Sequence, residues 1–315
     1  MSEHAKIDTH HHIVPPLWRE HLERLNYSSG QRIPAWSPEG ALAAMDEMGI
    51  ATAVVSLTTP GVHFGDAREA RAMARRVNDY TADLARDHPG RFGLFATLPV
   101  PDVEGSLAEL DHALGTLHAD GVVLLSNTRG TYLGDPLLEP LMEELNRRDA
   151  VVLVHPAAPA LPPLPGVPPF VADYLLDTTR AALNLVRNGV TVRCPRIRII
   201  LSHAGGMVPY AAGRIALLTP PGETEPAIAP DLFLTELRRF YFDTALSSAS
   251  PTMRALRAFA APDRILFGSD WPYAPGRSAF TFTRELDALD LPVDDRTAIH
   301  RGNAAALFPR LARLS

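Results

Sequence analysis

Five side chains that can bind a cation or move a proton sit at the ends of short apolar runs in this sequence. His10 and His12 close the run that starts at Ile7. His155 closes VVLVHP (151–156), His203 lies in IRIILSHAGG (197–206), and Asp270 ends RILFGSD (264–270). Side chains alternate along a strand, so His10 and His12 point one way and His11 the other. Three imidazoles and a carboxylate suit Zn²⁺, and also Mn²⁺ or Fe²⁺. Taken singly the signals are weak. An HHH run near an N-terminus invites reading as a tag remnant, but three histidines are too few and they follow Asp8 inside a strand-like run. A lone histidine such as His155 is more often a packed core residue; its place at a run's end, before Pro156, reverses that weighting. Asp270 alone would read as a turn or cap residue. Together they require several independent coincidences.

The elements that would position these residues alternate in type. Apolar runs at 7–12, 52–57, 92–98, 121–127, 151–156, 197–206, 241–245 and 264–270 read as strands buried on both faces. Amphipathic segments between them read as helices. Ser37 and Pro38 open one that Gly49 stops, Asp66 opens one over 66–87, and Asp135 and Pro136 open one over 135–149. Further helices are expected at 102–118, 171–188, 207–218, 230–239, after Ser250-Pro251, and at 278–289. A last one, 294–308, is expected to pack across the barrel. Eight strand–helix units close most simply into a (β/α)8 TIM barrel, here with an additional C-terminal helix, over residues 1–315 as a single domain. A doubly wound sheet would want a glycine-rich turn after its first strand; the turn here is HHHIVPP. The Pro-rich stretch 157–170 reads as an active-site loop.

Bulk composition narrows the classes. The 315 residues are 46% hydrophobic and 21% charged, which suits a globular chain with a full core. Net charge is −6 and no Lys/Arg-rich run occurs, so nucleic acid is not an expected partner. No apolar run approaches the roughly 20 residues of a membrane span. Cys194 is the single cysteine and MSEHAKID lacks the pattern of a signal peptide, so the expectation is a cytoplasmic protein with no membrane partner. Cys194 reads as a structural thiol.

The segments IDTHHH (7–12), DPLLEPLMEELNRR (135–148), VHP (154–156), LSHAGG (201–206), FGSDWP (267–272) and GNAAALF (302–308) span nearly the whole chain. In that order they resemble the amidohydrolase superfamily, most of all the branch with aminocarboxymuconate-semialdehyde and γ-resorcylate decarboxylases. IDTHHHIVPP, IPAWSPEGALAAMDEMGI, TTPGVHFGD and SDWPYAP look like 6-methylsalicylate decarboxylases. The resemblance implies a distorted (β/α)8 barrel with one divalent ion, Zn²⁺ first and Mn²⁺ second, held by His10, His12, His155 and Asp270. It implies His203 as the catalytic histidine and Asp270 as the proton donor in aromatic decarboxylation. It also implies an aromatic carboxylate as small-molecule substrate, and a homodimer. Strand four ends in Ser126 and Asn127 rather than lysine, which disfavours a carbamylated-lysine binuclear centre.

Candidate substrate contacts are Trp36, His63, Phe64, Phe95, Asn127, Arg180, Trp271 and Tyr273, on loops, strand ends or, for Arg180, a helix. His4, His21, His88, His112, His118 and His300 read as solvated. Two rivals share these residues. One is a metal-dependent lactonase or amidase; the other is a silent barrel used as a scaffold, against which the intact ligand set and His203 argue.

Overall fold

A computed structural model describes residues 6–27, 33–158, 162, 164–220 and 228–313. Eight parallel strands run in sequence order around a barrel: β1 (Lys6–His12), β2 (Ile50–Ser56), β3 (Phe92–Thr97), β4 (Gly121–Leu125), β5 (Val151–His155), β6 (Arg198–Leu201), β7 (Tyr241–Asp243) and β8 (Ile265–Leu266). The ring closes through the segment after β8. Thr9 N donates to Phe267 O (3.0 Å), Asp270 N to His10 O (2.8 Å) and His12 N to Trp271 O (2.8 Å). These strands are rich in Val, Ile and Leu because helices cover their outer faces and side chains fill the interior.

The helix signals fall where capping physics puts them. Ser37 accepts from Gly40 N ahead of Pro38–Met48, and Gly49 ends that helix at φ 69°, where a Cβ is disfavoured. Asp66 accepts from Glu69 N at the start of Ala67–Asp87. The segment 102–118 is shorter as a helix than expected, Val103–Asp111, and continues as a wide turn over His112–Thr116. Two features lie outside the sequence expectation: the helix Pro16–Arg24, which opens on a proline, and a small hairpin, Asn127–Thr128 against Thr131–Tyr132.

The C-terminal segments, Val293–Leu307 and Pro309–Ala312, lie across the N-terminal end of the barrel. Ala304, Leu307, Phe308 and Leu311 there join Ile7, Val54, Val123 and Leu153 in one buried cluster. The expected packing across the barrel is therefore met. No helix among the described residues is long and apolar enough to cross a membrane.

Candidate metal centre and active site

Strand ends deliver the polar cluster to the opposite end of the barrel. One ligand atom from each of His10, His12, His155 and Asp270 lies within 4.8 Å of every other, and all four residues are buried. The alternation along β1 aims His10 and His12 together, with their Nε2 atoms 3.1 Å apart. His11 faces away: its ring stacks on Trp271 at 5.0 Å and its Nδ1 donates to Asp8 Oδ2 (3.0 Å).

Each ligand imidazole is oriented by its other nitrogen. His10 Nδ1 donates to Asp243 Oδ2 (2.8 Å), His12 Nδ1 to Ser56 Oγ (3.0 Å) and His155 Nδ1 to Pro156 O (2.8 Å). That pattern leaves the Nε2 atoms to face one point as donors of lone pairs. Asp270 Oδ1 faces the same point, 3.1 Å from His12 Nε2 and 3.4 Å from His10 Nε2, yet it is buried without a hydrogen-bond partner. A buried carboxylate oxygen with no donor among convergent imidazoles fits a single divalent cation.

The electrostatics agree. Burial alone would lower the His10 pKa, but Asp243 and Asp270 overrule it and raise it to about 10. Burial pushes His12 below the usual imidazole range. Burial, with the neighbouring imidazoles, puts His155 further below it. Burial would raise the Asp270 carboxyl, but the close imidazoles of His10, His12 and His203 hold it well below the usual carboxylate range.

Asp270 is two-sided. Oδ1 faces the ligand imidazoles, while Oδ2 lies 3.4 Å from His203 Nε2. His203 and Asp270 both hold left-handed backbone conformations, at φ 55° and 58°. Such strain at a non-glycine residue persists only where the surroundings fix it. Asp243 does part of that fixing, since its Oδ1 accepts from His203 N (2.9 Å) and from Ala245 N (3.0 Å). Asp8 does another part, accepting from Ser269 N (3.1 Å), Ser269 Oγ (2.5 Å) and His10 N (3.0 Å). Neither aspartate was singled out from the sequence. Asp243 carries the same signal as Asp270, an acid closing an apolar strand, in YFDTA.

A cavity of about 580 Å³ opens onto His155, His203 and Asp270. Tyr174 and Tyr273 line it, and both phenols are pushed above their ordinary pKa, chiefly by burial. The Tyr273 hydroxyl is buried with no partner, and its ring stands edge-on to His12 at 5.6 Å. Phe170 and Val171 come from the end of the Pro-rich loop and the turn after it, so that stretch does reach the site; residues 159–161 and 163 of the loop lie outside the described residues.

Of the expected contacts, Tyr273 is the one that lines this cavity. Phe95 does not: it points down the barrel and packs on Phe308 at 5.7 Å, because on β3 its parity faces the interior near the N-terminal end. Trp36 meets Tyr80 at 6.4 Å instead. Trp271 is taken up by His11. His63, Phe64 and Asn127 line a neighbouring hollow on the far side of Thr59. Asn127 also donates to Asp177 Oδ2 (2.9 Å), and Arg180 donates to Tyr132 OH (3.3 Å) rather than reaching the cavity. His21 and His300 are buried, not solvated, and His300 Nε2 meets Asp287 Oδ1 at 3.2 Å. His4 lies outside the described residues. Cys194 is buried, as a structural thiol would be.

Known proteins resemble this chain in sequence and fold. The chain is 38% identical to a 6-methylsalicylic acid decarboxylase of Penicillium expansum, over 98% of this chain and 97% of that one. A solved amidohydrolase II superposes with a TM-score of 0.89 at 30% identity, covering 97% of this chain and 100% of the other. A dihydroxybenzoic acid decarboxylase from Polaromonas sp. JS666, solved with manganese and 2-nitroresorcinol, superposes with a TM-score of 0.75 at 26% identity, covering 97% of each. The amidohydrolase family's sequence model matches residues 7–310, from the first strand to the C-terminal plug, and on that match the chain belongs to the amidohydrolase family.

Proposed function

We propose that this chain is a metal-dependent non-oxidative decarboxylase that releases CO₂ from an ortho-hydroxybenzoate such as 6-methylsalicylate. One observation carries the reading: a cavity walled by Phe170, Tyr174, Tyr273 and Phe282 ends on His203 and Asp270, in a chain with near full-length likeness to such a decarboxylase. A divalent ion held by His10, His12, His155 and Asp270 would supply Lewis acidity and a template for the carboxylate and phenolate oxygens. The donor set favours Zn²⁺, and Mn²⁺ is the ion in the Polaromonas relative.

The protein's own task is to protonate carbon. Direct loss of CO₂ leaves an aryl carbanion. Adding a proton first to the ring carbon that bears the carboxylate avoids it. Cleavage of the carbon–carbon bond then returns its electron pair to the ring and restores aromaticity. Asp270 would make that transfer through Oδ2, which lies on the side facing His203. Because the carboxyl is held well below its usual range, the proton has to be supplied along the His203 Nε2 contact (3.4 Å). The free Tyr273 hydroxyl is a donor available to a substrate oxygen, and the aromatic walls would shield the reacting carbon once a ring fills the cavity. A homodimer, on the resemblance, and a cytoplasmic location complete the reading.

The test is a panel of hydroxybenzoates given to the metal-loaded protein, with CO₂ and the decarboxylated phenol both measured, beside a panel of lactones and amides. CO₂ in step with loss of a hydroxybenzoate is expected. Hydrolysis of a lactone or amide without any CO₂ would replace the reading with the hydrolase one.

A further inference from the structure

The cavity is larger than a one-ring acid requires, and its surplus is apolar. At about 580 Å³ it falls in the range of about 300–1,000 Å³ that holds drug-sized ligands, whereas a methylated hydroxybenzoate has only about eleven non-hydrogen atoms. Among the described residues, His155, His203 and Asp270 are the charged or imidazole groups that line it, and all belong to the catalytic end; no lysine or arginine does. The wall supplied after β7 and by the helix after β8 consists largely of Leu246, Ala249, Ala255, Leu256 and Phe282. Leu246 sits there at the cost of a left-handed backbone, φ 49°, which a leucine rarely adopts. Ala249 and Ala255 leave space that larger residues would fill.

We propose that this wall accepts an apolar ring substituent longer than methyl, so that the substrate class is a monocarboxylate salicylate carrying an alkyl chain. The inference rests on the decarboxylase reading above. A second carboxylate on the ring is disfavoured, because no cationic side chain lines the wall and the hydroxyls of Ser247 and Thr252 would compensate its desolvation only in part. An alkyl chain gains instead from leaving water.

The experiment is a wild-type kcat/KM series on salicylates bearing methyl, propyl and pentyl groups at the 6-position, together with 5-carboxysalicylate. We expect kcat/KM to rise by up to about fourfold per added methylene, and the dianion to fall at least about tenfold below the methyl compound. Turnover of the methyl compound with kcat/KM falling as the chain lengthens overturns this proposal and leaves the parent reading standing. Absence of CO₂ from every member takes down the parent reading, and this proposal with it. Ala255→Phe narrows the wall; it is expected to penalise the pentyl substrate about tenfold more than the methyl one, and equal penalties would remove the chain from this wall.

Discussion

The two ends of the barrel are built from the same eight strands and filled in opposite ways. At the N-terminal end the interior meets a plug: Phe95, Val123 and Leu153 pack against Leu307, Phe308 and Leu311. At the C-terminal end the same interior is occupied by His10, His12, His155, Asp243 and Asp270, all buried. Backbone strain gathers at that second end, where His203, Ala204, Leu246 and Asp270 all have positive φ. Each such residue costs on the order of 1–3 kcal/mol. One end is a source of stability, and the other consumes it to hold groups in place. If that division is real, substitutions at the two ends should separate folding from turnover.

The largest separation is expected at His203. His203→Ala should lower kcat by about 10²–10⁴-fold while metal content per chain stays at the wild-type level, because His203 supports Asp270 Oδ2 and is not one of the four converging ligands. Metal analysis beside steady-state CO₂ release reads both. Unchanged turnover would strike His203 from the mechanism.

The opposite result is expected at the plug. Phe308 is buried against Phe95, and Phe308→Ala should cost about 3–5 kcal/mol in denaturant unfolding. Metal affinity of the folded fraction should be unaltered. A matching loss of metal affinity would show that the two ends are coupled and the division false.

What could be seen in the sequence follows the same division. All eight strands and the four-ligand set were legible because a strand end is marked by a polar residue after an apolar run, and ligation needs particular residue types. Ser37, Gly49, Asp66 and Asp135 marked helix ends by local backbone chemistry. Phe95 was misassigned because an aromatic on a strand looks alike whichever end of the barrel its ring enters; parity and depth, set by the register with β4, decide it. Trp36 and Trp271 went to packing for a similar reason. His21 and His300 looked solvated because nothing local reports which helix face is covered. Asp243 and Asp8 escaped notice because they act on other residues, and those partners are fixed only when segments 233 and 261 residues apart become neighbours.

Asp243 tests the boundary between the two kinds of residue. It binds His10 Nδ1 with one oxygen and His203 N with the other, so it supports one of the four converging residues and His203 at once. Asp243→Asn should weaken metal binding by about 10–100-fold, read by competition with a chromogenic chelator. Turnover measured at saturating metal should fall as well, because the His203 backbone loses a carboxylate partner. Loss of affinity with full turnover at saturation would confine Asp243 to the ligand side.

The last effect expected is one of slope, which no single substitution is needed to read. Asp243 and Asp270 hold a proton on His10 up to a pH of about 10, whereas burial keeps His12 and His155 below their ordinary 6.5. Between pH 7 and 9, then, an incoming cation displaces one proton, from His10 and not from its neighbours. Apparent metal affinity of chelator-stripped protein should rise about tenfold per pH unit in that window and level off above the His10 value. A slope near two would mean that a second imidazole is protonated as well. The linkage to folding runs in two directions. His10, with its pKa raised, stabilises the stripped protein below the unfolded value of 6.5, a contribution lost as pH climbs through about 10. His12 and His155, with theirs lowered, contribute above 6.5, and that contribution fades as acid forces protons onto them. Substituting Phe308 at the plug should shift the whole stability curve without changing its dependence on pH. Substituting His10 should remove the alkaline limb. A plug variant that altered the alkaline limb would mean that the charge at the mouth is felt through the full length of the barrel.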